Sequence, residues 1–94
     1  MGYDRLIFRQ HAINRMAERD IDPDDVREVI RHGEVVASYA DDKPYPSRLM
    51  LAWVNERPLH VVTADNDVDG ETIIITAYVP DPDLWDEDFR SKKS

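Results

Sequence analysis

Apolar positions follow two different periods along this chain. From 9 to 19, "RQHAINRMAER", they are sparse and return every three or four residues, which predicts a short helix with Ala12, Met16 and Ile13 on its stripe. His11, Arg15 and Arg19 recur at spacing four and share a neighbouring face. The next helix carries its own punctuation. In "IDPDDV", Asp22 reads as the N-cap, Pro23 as the first helical residue, and Asp24 and Asp25 as first-turn acids. Ile21 and Val26 can staple across the cap, Val26, Val29 and Ile30 form the stripe, Arg31 and His32 suit the negative end, and Gly33 closes it.

After Gly33 the period drops to two. "EVVASY", "RLMLAWV", "PLHVVTAD" and "ETIIITAYV" read as four strands, separated by the proline-broken loop "DDKPYPS", a tight turn at Asn55–Glu56, and the turn "NDVDG". Two N-terminal helices followed by four strands on short turns predict an α+β domain. Its helices pack on one face of a four-stranded, mainly antiparallel sheet. In the last strand, Ile73, Ile75, Ala77 and Val79 are expected on the core face, and Thr72, Ile74, Thr76 and Tyr78 on the other. A turn centred near Val68 sets His60 opposite Thr76, so that His60, Thr76 and Tyr78 share the more open face. A two-residue turn after the second strand sets Leu51 beside His60; a three-residue turn sets Ala52 there and brings Arg48 to the open face. "PDPDLWDEDF" leaves the sheet, and Trp85 and Phe89 are expected to fold back onto the body.

Composition adds bounds. Ninety-four residues, 41% hydrophobic and 34% charged, fit one globular domain with its core at about 8–89 and a flexible tail at 90–94. The absence of cysteine removes disulfides and a thiol nucleophile. No apolar run is long enough to span a membrane, and "MGYDRLIF" has no apolar signal core, so a cytoplasmic location is expected. The net charge of −8 opposes simple nucleic-acid binding, but its placement is uneven: Asp and Glu crowd into 20–25, 65–71 and 81–88, whereas Arg dominates 5–19.

Against that background, few residues can carry chemistry. His11 and His60 are the candidates for acid–base work, since imidazole titrates nearest neutrality. Arg15, Arg19, Lys43 and Arg48 are the candidates for phosphate contact, and Tyr45 and Tyr78 can stack on a base or donate a hydroxyl. Metal-independent RNA cleavage needs such a set: a base for the ribose 2′-hydroxyl, cations for the phosphorane, and an acid for the leaving oxygen. Each residue also has a structural role open to it. Arg15 and Arg19 can pair with Glu18 or Asp20, Lys43 can be a solvated loop charge, and His60 can be a satisfied packing residue. The histidines show no metal-ligand spacing, the three glycines form no phosphate-binding pattern, and no cofactor is expected.

The motifs H-A-x-x-R-M-x-x-R, D-D-K-P-Y-P, P-L-H-V-V and I-T-x-Y-x-P, in that order from about Phe8 to Trp85, resemble a prokaryotic domain-of-unknown-function family, number 4258. The resemblance implies kinship with small toxin ribonucleases of the RelE, MqsR and BrnT kind, a RelE-like fold, RNA as substrate, and a small antitoxin partner, with a zinc finger of the MqsA type as the expected kind. On the family's motifs, His11, Arg15 and Arg19 match the helix, Asp42, Lys43 and Tyr45 the loop, His60 the third strand, and Thr76 and Tyr78 the last. The expectation is therefore a toxin-type endoribonuclease with His11, His60 and Tyr78 in acid–base roles. Arg15, Arg19, Lys43 and Arg48 would bind phosphate, and Asp42, Tyr45 and Thr76 would support them. Two rivals stand beside it: a non-catalytic protein-interaction domain, and a metal-dependent hydrolase built on His11, His60 and Asp42.

Overall fold

The structure, a computed structural model, describes residues 5–93. Its elements run β1 (Arg5–Phe8), α1 (Gln10–Glu18), α2 (Pro23–His32), β2 (Glu34–Tyr39), β3 (Ser47–Val54), β4 (Arg57–Asn66) and β5 (Glu71–Tyr78). The domain is α+β with two helices, as the periods predict, but the sheet has five strands and is mixed. Its order is β1-β5-β4-β3-β2, with β1 parallel to β5 and every other pair antiparallel. The added strand is "RLIF", which pairs Arg5 to Glu71 and Phe8 to Ile74.

The helices are set by their ends as much as by their stripes. Asp22 caps α2 by accepting the Asp24 N–H at 2.9 Å, with Pro23 at the first position and Arg31 and His32 in the last turn. Gly33 ends α2 in ordinary extended backbone (φ −76°, ψ 172°), so positive φ is not why it is glycine. The reason is space: a Cβ there would lie 2.4 Å from the Val29 carbonyl oxygen and 2.8 Å from that of Leu51. Helix α1 has no side-chain cap, and Asp20 in the left-handed region (φ 56°) turns the chain out of it. Ala12, Met16, Ile21, Val26 and Val29 pack with Met50, Leu59, Val61, Ile74 and Ala77 to form the helix-side core. Ile13, expected on the stripe, is 42% exposed and lies outside it.

Two details of the sheet decide which side chains meet. Asn55 and Glu56 both take positive φ (53° and 65°), the geometry of a two-residue turn whose twist matches the strands. That turn sets Leu51 opposite His60 and leaves Arg48 opposite Thr63 on the helix side. On the other hairpin, Val62 pairs with Thr76 but Thr63 pairs with Ile74, so Ile75 is the extra residue of a bulge. Asn66 pairs with Glu71, so the turn centres between Val68 and Asp69, and this offset together with the bulge sets His60 opposite Tyr78, not Thr76. The turn register puts Ile74 on the helix side and the bulge keeps Ala77 there, which corrects the regular alternation expected of β5.

The second face of the sheet is covered as well. Leu49, Leu51, Ala64, Ile73 and Trp85 are buried but fall outside the helix-side cluster. The segment after β5 folds back as expected: the Trp85 ring meets His60 edge-on at 4.5 Å, and the Phe89 ring meets Trp53 at 5.7 Å. Residues 90–93 are bonded to the body too, through an Arg90–Glu34 ion pair at 2.7 Å and a Trp85–Lys92 bridge. Among the described residues no helix is long and apolar enough to cross a membrane.

Candidate functional site

Strand β1 covers the edge of β5 only as far as Ile74, so among the described residues Ile75 to Tyr78 have no strand on that side. Arg19, at the C-terminal cap of α1, fills the gap. Its Nη1 donates to the Ala77 carbonyl at 3.0 Å and to Thr76 Oγ1 at 3.4 Å. The spacing-four face of α1 thus delivers its last arginine to the free edge of the sheet. A cleft of about 520 Å³ opens beside it, lined by Arg19, Tyr78, Asp81, Trp85 and Lys92 among others. The Lys92 ammonium lies 5.8 Å from the Trp85 ring centre. Two cations at this rim make a local exception to a net charge of −8.

Behind Tyr78 stands His60, wholly buried. Its Nε2 lies 2.8 Å from the Phe89 carbonyl oxygen, which can only accept, so Nε2 carries the proton. Nδ1 is then the bare nitrogen, and it accepts from the Tyr78 hydroxyl at 3.3 Å. The Tyr78 proton therefore points inward, and its oxygen lone pairs are left for the cleft. Burial lowers the His60 pKa below its ordinary value, partly offset by the bond to Phe89. Burial raises the Tyr78 pKa, as does nearby Tyr39, against the opposing pull of Arg19. At neutral pH both rings are uncharged; the bond gives a proton path from the phenol to the imidazole, and both shifts hold the proton on the phenol in the resting state.

The remaining candidates lie elsewhere. His11 is exposed on α1, next to Ala12, on the side of the sheet where Val61 and Ala77 point; His60 points the opposite way. The two histidines are not brought together. Arg15 is exposed and pairs with Glu18 at 3.3 Å. Arg48 is held by Thr63 Oγ1 at 3.1 Å and by Asp65 at 3.4 Å on the helix side. Asp42 accepts from the Ser47 hydroxyl at 2.6 Å and from the Lys43 N–H at 3.1 Å, beside exposed Lys43 and half-buried Tyr45. Arg19, His60, Thr76 and Tyr78 are the predicted residues that converge. Trp85 and Lys92 complete the cleft without having been read as site residues. Trp85 belongs to an acidic segment and Lys92 to the polar tail after it, neither with a strand or helix period, and only the fold shows which side of them faces Tyr78. Among the described residues, no group of three His, Asp or Glu side chains is gathered to hold a metal ion.

A family model described as a domain of unknown function (DUF4258) matches residues 8–79. No curated protein and no solved structure matches the chain.

Proposed function

The chain belongs to the DUF4258 family, and from that premise we propose that it is a toxin-type, metal-independent endoribonuclease of the cytoplasm. In this reading it is akin to the RelE-like ribonucleases and is held in check by a small antitoxin protein, with an MqsA-type zinc finger as the expected kind. The observation that carries the reading is the Tyr78–His60 hydrogen bond at the head of a cleft rimmed by Arg19 and Lys92.

The chemistry runs through the chain's own residues. The Tyr78 oxygen takes the proton of the ribose 2′-hydroxyl as its own proton passes to His60 Nδ1. The imidazolium so formed keeps its Nε2–H on the Phe89 carbonyl. The freed 2′-oxygen attacks the adjacent phosphorus, the P–O5′ bond breaks, and a 2′,3′-cyclic phosphate results. Arg19 and Lys92 stabilise the charge that grows on the phosphoryl oxygens, and Lys92 or water protonates the leaving oxygen. The burial that lowers the His60 pKa keeps this acceptor unprotonated at neutral pH.

The test is cleavage of single-stranded RNA by the purified protein in EDTA. The expected products end in 2′,3′-cyclic phosphate. Tyr78→Phe lowers the rate by about 10²–10⁴-fold, the range for losing one general acid or base. Absence of cleavage with varied RNA sequences, or a Tyr78→Phe protein as active as wild type, overturns the reading. The charge of −8 favours one alternative, a domain that binds a partner protein without turnover.

A further inference from the structure

A second groove, of about 590 Å³, lies away from Tyr78, where the α1–α2 connection meets the β3–β4 turn. Its apolar lining includes Ile13, Met16, Ile21 and Val54. Ile13 is 42% exposed there, although its neighbour Ala12 is fully buried in the core. The polar lining includes Asp20, Asp22 and Asp25.

These carboxylates are not equivalent. Asp22 is committed to capping α2, and Asp25 lies 3.7 Å from Arg57. Arg57 also donates to the Asp20 backbone carbonyl at 3.1 Å, which fixes the groove wall without neutralising the Asp20 side chain. Among the described residues that side chain has no ion-pair or hydrogen-bond partner. Asp20 occupies a left-handed position (φ 56°) that glycine or asparagine would fill as well conformationally, so the backbone does not explain its charge.

We propose that this groove docks a basic amphipathic segment of a partner protein, with apolar side chains on Ile13 and Ile21 and a Lys or Arg reaching Asp20. Charge selects this occupant. A second copy of the chain packing groove to groove would bring two sets of carboxylates together. Of the three basic residues after β5, Arg90 is paired with Glu34, Lys92 lies over Trp85, and Lys93 is tied through its backbone N–H to the Leu84 carbonyl, so the tail is held away from the groove. The site is independent of the Tyr78 cleft and stands whether or not the protein cleaves RNA.

The experiment is an NMR titration of the full chain with a capped helical peptide of Leu and Lys, against the same peptide with Glu replacing Lys. Saturable shifts are expected at Ile13, Ala17, Ile21, Val54 and Asn55 with the Lys peptide only. Asp20→Asn keeps the backbone conformation and is expected to weaken binding at least fivefold, as is Ile13→Ser at an exposed position. Glu87→Gln, an equal loss of charge outside the groove, is expected to change it less than twofold. Shifts centred on the Tyr78 cleft, shifts scattered over the acidic surface, or equal weakening by Asp20→Asn and Glu87→Gln overturn the proposal.

Discussion

Replacing Gly33 by alanine sets two opposing effects against each other, and the structure decides the sign. The backbone there, φ −76° and ψ 172°, suits any residue. On conformation alone Gly33→Ala would stabilise the fold by about 0.4–1 kcal/mol, by restricting the unfolded chain. The new methyl, however, would stand 2.4 Å from the Val29 oxygen and 2.8 Å from the Leu51 oxygen. Even favourable C–H···O contacts are no shorter than about 3.3 Å, so relief of close to 1 Å is needed. Both obstacles are backbone, one in α2 and one in β3, and neither can rotate aside. Moving Gly33 itself would stretch the 2.8 Å bond from its N–H to Val29 that ends the helix. Overpacking of this kind costs about 1–3 kcal/mol, and more when backbone must move. The net expectation is a loss of about 2 kcal/mol, or roughly 8–16 °C in Tm for a domain of this size. Urea unfolding followed by circular dichroism, with a thermal melt as a second reading, measures it. A Gly33→Ala protein as stable as wild type, or more stable, would refute the argument that close approach selects glycine here.

Two further outcomes follow from other parts of the fold. Asp22→Ala removes the acceptor for the Asp24 N–H and is expected to cost about 1 kcal/mol in the same assay, with unchanged denaturant slope. The lowered pKa of His60 means that the unfolded chain binds the proton first as pH falls, so stability is complete above pH 6.5 and declines below it. The decline continues to the folded pKa and then levels, at about 1.4 kcal/mol for each pKa unit of separation. Urea midpoints at pH 7.5 and 5 should differ more for wild type than for His60→Gln, and equal differences would sink the assignment.

The helices and four of the strands are legible in the chain because each carries a local signal: a cap, a proline, a period. Strand β1 is not, since four residues bounded by a helix show no alternation and depend on a partner 66 positions away. The bulge at Ile75 is equally silent, as nothing in "ETIIITAYV" marks which isoleucine is skipped. That one residue shifts His60 from Ala77 to Tyr78 and so creates the bond on which the candidate chemistry depends. The spacing of His11, Arg15 and Arg19 correctly puts them along one side of a helix, yet only Arg19, at the end, reaches the sheet. His60, expected on an open face, is sealed by Trp85 and Phe89 because the chain after β5 returns across it.

The place of β1 also imposes an order on events in time. Among the described residues the first strand lies beside the last, and its only strand partner is Glu71 to Ile74. While the polypeptide is being made, Leu6, Ile7 and Phe8 must wait until most of the domain has emerged. The three consecutive hairpin-linked strands and both helices can assemble meanwhile from nearer contacts. Closing that edge is then a late, long-range step, and until it happens the free edge of β5 stands open to pairing with another chain.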